Sequence, residues 1–150
     1  MNNKRKILII VFIGLLTFTF SKYFYQLGFV NGISMEPTLK NRQLIIIKNT
    51  NANIKKNDIV IIKKKNKTII KRIIGMPGDK LEIKDTYLYV NNSKYDNNKI
   101  IDSGNLKNTI KLNEDEYFVL GDNRDSSIDS RYDEIGLIKK DEIKGIVLRK

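Results

Sequence analysis

From residue 43 onward the apolar residues of this chain come in short, isoleucine-rich bursts, each fenced by Asn, Asp, Lys or Gly, and such bursts suit strands far better than helices. QLIIIK (43–48), DIVIIKK (58–64) and KTIIKRIIG (67–75) are the clearest. KLEIK (80–84), TYLYVN (86–91), NTIKLN (108–113), EYFVLG (116–121) and EIKGIVL (142–148) continue the pattern at short spacing. Residues 26–150 show no helical period and no internal repeat, and 150 residues make one domain's worth of core. The expected fold is mainly β, an antiparallel body with a smaller β subregion over residues 80–116 that includes the polar stretch 91–108.

The amino terminus differs in kind. After MNNKRK, residues Ile7–Phe20 carry no charge, a length that fits either the core of a cleavable signal or a short membrane span. Thr19 and Ser21 are a weak match to a small-residue cleavage site, whereas Lys22 can snorkel and Tyr23, Phe24 and Tyr25 make an interfacial belt. A retained anchor over residues 7–25 is therefore expected, on one amino-terminal transmembrane helix. Lys4, Arg5 and Lys6 place residues 1–6 in the cytoplasm and residues 26–150 outside it, in a single-pass protein of the plasma membrane.

The formal charge of +11 invites a reading of nucleic-acid binding. Its densest cluster, KKKNK (63–67), lies between two Ile-rich strands with no interleaved aromatics, so a solvated hairpin loop is expected there and no nucleic-acid partner. Two absences exclude more. With no Cys and no His in the chain, disulfides, thiol nucleophiles, Cys/His zinc sites and every His-dependent triad are ruled out. Any hydrolase built on this sequence takes its base from Lys, Asp or Glu, and neither metal nor cofactor is expected.

Three stretches carry candidate chemistry. In NGISMEPTL (31–39), Pro37 fixes its own φ and biases Glu36 toward an extended conformation, so Ser34 is presented in a rigid turn. Gly32, two residues earlier, permits close backbone approach or an unusual dihedral. Taken alone, such a serine is a turn residue more often than a nucleophile. Lys71 alternates with Ile69 and Ile73 on one face of its strand, opposite Ile70, Arg72 and Ile74. Either its stem packs while the amine reaches water, or the amine is desolvated and its pKa falls, which serine chemistry without histidine requires. GDNRDSSIDSR (121–131) follows an apolar strand; Asp129 and Arg131 can pair bidentately, and Asp122 can reach Arg72. A loop of self-satisfied Asx and Ser turns would explain that stretch by itself.

Together, and in this order behind an apolar run, the stretches resemble the type I signal peptidases of the bacterial serine–lysine kind. ISMEPTL is similar to the nucleophile box, NDIVII to the strand box after it, KRIIGMPGD to the lysine box and GDNRDSSIDSR to the terminal box. The resemblance implies a β-rich catalytic body with a small β insert, Ser34 as nucleophile, Lys71 as general base and Ser127 as the hydroxyl that orients the lysine. It implies Asp129 with Arg131, and Asp122 with Arg72, as supporting pairs. The Ser34 N–H would serve the oxyanion; some members add a serine hydroxyl where this chain has Gly32. Tyr132–Ile135, ahead of Gly136, suggest a two-residue insertion beside the site, and Asn57 stands where glycine is common. The implied activity is removal of signal peptides from secretory preproteins at the membrane, after small residues at the third and first positions before the cut. Met35 and Ile70 are expected to line the pockets. Two rivals remain: a self-cleaving Ser–Lys peptidase, and a membrane-anchored binding module with impaired catalysis.

Overall fold

The computed structural model describes residues 3–49, 53–105 and 109–148, without the side chains of residues 18–23. The side chains of Thr19, Ser21, Lys22 and Tyr23, and residues 106–108 of the polar stretch, thus lie outside the described residues. Among the described residues, α1 (Asn3–Phe24) comes first and eleven strands follow. These are β1 (Tyr25–Phe29), β2 (Leu44–Asn49), β3 (Ile59–Lys64), β4 (Lys67–Gly75), β5 (Lys80–Lys84), β6 (Tyr87–Val90), β7 (Ser93–Lys94), β8 (Ile110–Lys111), β9 (Glu116–Leu120), β10 (Ile138–Lys139) and β11 (Ile143–Leu148). A seven-stranded sheet runs β1-β2-β11-β3-β4-β9-β10 and a four-stranded sheet β7-β6-β5-β8. Every pairing is antiparallel, so the expected mainly β body is what forms.

Alternation explains why the central strands are so rich in isoleucine. In β3, Ile59 and Ile61 point into one apolar cluster with Val30, Met35, Leu39, Ile45 and Val147, while Val60 and Ile62 point into another with Ile73, Val119 and Ile138. A strand buried on both faces has no solvent side to fill with polar residues. The third cluster, built from Ile74, Leu81, Leu88, Leu112, Phe118 and Leu120, joins the smaller sheet to the larger. The basic run is the β3–β4 hairpin: Lys64 pairs with Lys67 across a turn in which Lys65 has φ +52°.

Two expectations at the amino terminus change. Residues 25–29 belong to the body as an edge strand, with Tyr25 opposite Lys48 and Phe29 opposite Leu44. The sequence hid this because Leu27 and Phe29 face outward, 71% and 73% exposed, and so prolong the apolar run that precedes them. The helix itself ends at Phe24, and among the described residues no helix is long and apolar enough to cross a membrane, so the expected span is not supported there.

Candidate active site

The site is built where a turn, a strand and a loop meet. The turn after β1 is fastened at both ends: Val30 N–H donates to Gln43 O, Arg42 N–H to Val30 O, and Gly32 N–H to Asn41 Oδ1. Gly32 has φ +100°, a conformation that side chains resist, and a Cβ there would meet nothing within 4 Å. Its role is thus dihedral freedom, not close packing. Met35, 1% exposed, and Leu39 root the turn in the core and leave Ser34 half-buried at its surface.

Lys71 reaches that serine from β4. Its Nζ donates to Ser34 Oγ at 2.8 Å, and the residue is only 4% exposed. Burial lowers the Lys71 pKa below the ordinary lysine value; Asp129 and Asp122 pull it up and Arg131 pushes it down, each less strongly than burial acts. Of the two sequence readings for this lysine, the desolvated amine is the one that forms.

The loop after β9 closes the third side. Asn123 N–H donates to Ser34 O at 3.0 Å, which ties the turn bearing Ser34 to the loop. Gly121 makes that approach possible: a Cβ at this position would lie 2.6 Å from Ser34 O and 2.2 Å from Ser127 Oγ. Gly121 and Asn123 were not singled out from sequence; Gly121 opens the terminal box directly after the strand, the only signal that could have flagged it. Ser127 is buried beside Gly121, but its hydroxyl has no hydrogen-bond partner among the described residues, so the expected bond to Lys71 is not formed.

Two ion pairs hold the frame. Arg131 Nε and Nη2 reach Asp129 Oδ1 and Oδ2 at 2.8 and 3.1 Å, with both residues buried. The same guanidinium donates to the carbonyls of Asp102, Arg124 and Ser127, while Asp129 Oδ2 accepts from Gly121 N–H. Arg72 grips Asp122 with Nε at 2.7 Å and with Nη2, and donates to Asn57 O through Nη1 at 2.9 Å. Burial by itself would raise the Asp122 pKa, but bonds from Arg72 and Thr38 hold it below the usual carboxylate value. Asn57 adopts φ +73°, the left-handed conformation that asparagine tolerates. Beyond Arg131, Ile135 turns into the core and Tyr132 Oη donates to Asp102 Oδ2.

The dyad opens into a cleft of about 380 Å³ between the β1–turn segment and the first half of β4. Met35, Ile45, Ile47, Ile61 and Ile70 line it. Strand β9 pairs with β4 only from Arg72 onward, which leaves the edge of β4 beside the cleft open among the described residues. No cluster of ligands able to hold a metal occurs among the described residues.

The sequence model described as signal peptidase, peptidase S26, matches residues 3–149. Signal peptidase I of Bacillus amyloliquefaciens is 36% identical over 77% of this chain and 70% of its own length. Signal peptidase I P of Bacillus subtilis subsp. natto is 36% identical over 91% and 81%. The crystal structure of a signal peptidase I from Enterococcus faecalis V583 matches with a TM-score of 0.51 at 27% identity, covering 65% of this chain and 98% of that one. Similarity that runs through both sheets and all four boxes establishes that this chain belongs to the signal peptidase family, peptidase S26, as an enzyme of the signal peptidase I kind.

Proposed function

We propose that this enzyme removes signal peptides from secretory preproteins by a Ser34–Lys71 dyad. The observation that carries the reading is the 2.8 Å contact between the Lys71 amine and Ser34 Oγ, made by a lysine with almost no solvent around it. A neutral amine at that position accepts the hydroxyl proton as Oγ attacks the scissile carbonyl. The lysine then returns the proton to the leaving nitrogen, and the acyl group stays on Ser34. Water, deprotonated by Lys71, opens the ester and frees the signal peptide. The Ser34 N–H is the proposed oxyanion donor. Ser127, a buried hydroxyl without a partner among the described residues, is the proposed orienter of Lys71 once substrate tightens the site.

The residues before the cut would add as a strand along the open edge of β4, with small side chains admitted to the shallow apolar cleft. A membrane setting fits the surface. Ile7, Leu8, Ile10 and Phe12 stand bare on α1 behind Lys4, Arg5 and Lys6, and Leu27, Phe29, Leu44 and Ile46 continue an apolar face onto the body. We therefore retain one amino-terminal anchor, with its basic end cytoplasmic and the peptidase body outside.

Cleavage of a preprotein with Ala at the third and first positions before the cut tests this, using wild type, Ser34→Ala and Lys71→Ala in detergent. Loss of activity in both variants is expected. Activity that survives Lys71→Ala would remove the assigned base, and an inactive wild type would favour a binding module.

A further inference from the structure

A second cleft, of about 510 Å³, begins where the dyad cleft ends: Ser34 and Met35 line the first, Glu36 and Pro37 the second. Its other walls are Arg124 and Asp125 from the loop after β9, and Lys99 and Ile101 from the smaller subregion. The catalytic steps above make no use of it. We propose that this cleft holds the first residues on the carboxyl side of the scissile bond, and that Glu36 and Asp125 make it favour positive charge there. The proposal rests on the proteolytic reading above.

Position is the first argument. A substrate whose acyl side fills the dyad cleft must carry its remaining chain past Ser34, and an extended chain advances about 3.3–3.6 Å per residue. Glu36 and Pro37 follow Ser34 in the same turn and line this second cleft, so they face the first few substrate residues after the cut. The loop wall is the same segment whose Asn123 N–H holds the Ser34 carbonyl, so occupant and nucleophile share one support.

Charge is the second argument. Arg124 is committed to Asp96 at 2.6 Å, and Asp122 to Arg72. Among the described residues, Glu36, Asp125 and Lys99 make no ion pair, which leaves two free carboxylates against one free ammonium around the cleft. The reaction itself generates a cation at this place. When the C–N bond breaks, the leaving nitrogen takes one proton from Lys71; the resulting α-amine takes another from water and is largely ammonium near pH 7, its ordinary pKa being about 7.7–8.0.

The third argument is an unmet donor. The Arg124 side chain is 8% exposed, its Nε donates to Gly121 O and its Nη2 to Asp96, but its Nη1 has no acceptor among the described residues. That donor is shielded from solvent, so a main-chain carbonyl of the departing segment meets it only when the loop wall shifts.

The test uses full-length enzyme in detergent and one preprotein series with Ala at the third and first positions before the cut. The second and third positions after the cut carry Lys, Ser or Glu. Wild type is expected to cut the Lys member with a kcat/KM about three- to tenfold above the Glu member, as befits a few screened charges. The Glu36→Gln, Asp125→Asn double variant, and 0.5 M salt, should bring the ratio near one. In parallel, a labelled peptide with the sequence of the mature amino terminus is titrated onto Ser34→Ala protein, where N-acetylation of the peptide should weaken binding. A flat series from an active wild type, or a ratio untouched by the double variant, overturns the cleft assignment and leaves proteolysis standing. An inactive wild type whose Ser34→Ala form still prefers the free amine overturns the proteolytic reading and leaves the cleft.

Discussion

At Lys71 the chemistry and the cost of burial are one quantity. The proposed mechanism uses the neutral amine, so kcat/KM should rise with pH through the folded-state pKa of Lys71, which burial sets below the ordinary 10.5. Stability should rise across the same window. There the unfolded chain still holds the proton that the folded chain has released, so the unfolded state binds more protons. Lys71→Met should abolish activity and also flatten the stability slope between that folded pKa and about pH 10.4, measured by urea unfolding at several pH values. A slope that is unchanged in Lys71→Met would assign it to another group. Gly121 acts through space alone. Gly121→Ala puts a methyl group 2.6 Å from Ser34 O and 2.2 Å from Ser127 Oγ, so the turn or the loop must move. A shift of about 1 Å at the nucleophile should reduce single-turnover cleavage by on the order of 10²-fold. Circular dichroism of the variant should still report the wild-type strand content.

Among the elements, the strands that could be read from sequence are those whose alternation has a buried answer on each face. β4 was bounded at Lys67–Gly75 by its own Lys and Gly fences, and Ile69, Ile70, Ile73 and Ile74 all find cores. β1 escaped detection because its edge position leaves Leu27 and Phe29 in the open, so that apolarity there says nothing about depth. β7 and β10 are two residues each, too short for any period to show. The candidate site divided in the same way. Ser34 and Lys71 were legible through the order of their motifs behind the apolar run, since a Pro-fixed turn or a lysine among isoleucines is by itself more often a plain turn or a packed stem. The tie from Asn123 to Ser34 and the clearance between Gly121 and Ser34 O depend on contacts 87 residues or more along the chain, which no local pattern encodes.

For the molecule as a whole, Arg131 is the joint. One guanidinium serves Asp129, the carbonyls of the loop at Arg124 and Ser127, and the carbonyl of Asp102 from the smaller subregion. Arg131→Met keeps the volume but strands the buried Asp129 carboxylate, so equilibrium unfolding in urea should show a loss of about 3–5 kcal/mol. A loss under about 1 kcal/mol, the scale of a surface pair, would mean that Asp129 finds another partner. The way the body leaves its helix also has a consequence. α1 ends at Phe24 and β1 starts at Tyr25, with no residue between them to act as a swivel. On the proposed anchor, the body cannot swing independently of the helix, and the apolar face at Leu27, Phe29, Leu44 and Ile46 sets which side of it meets the lipid. On that proposal, substrates would be sorted by where their cut site emerges as well as by which side chains flank it.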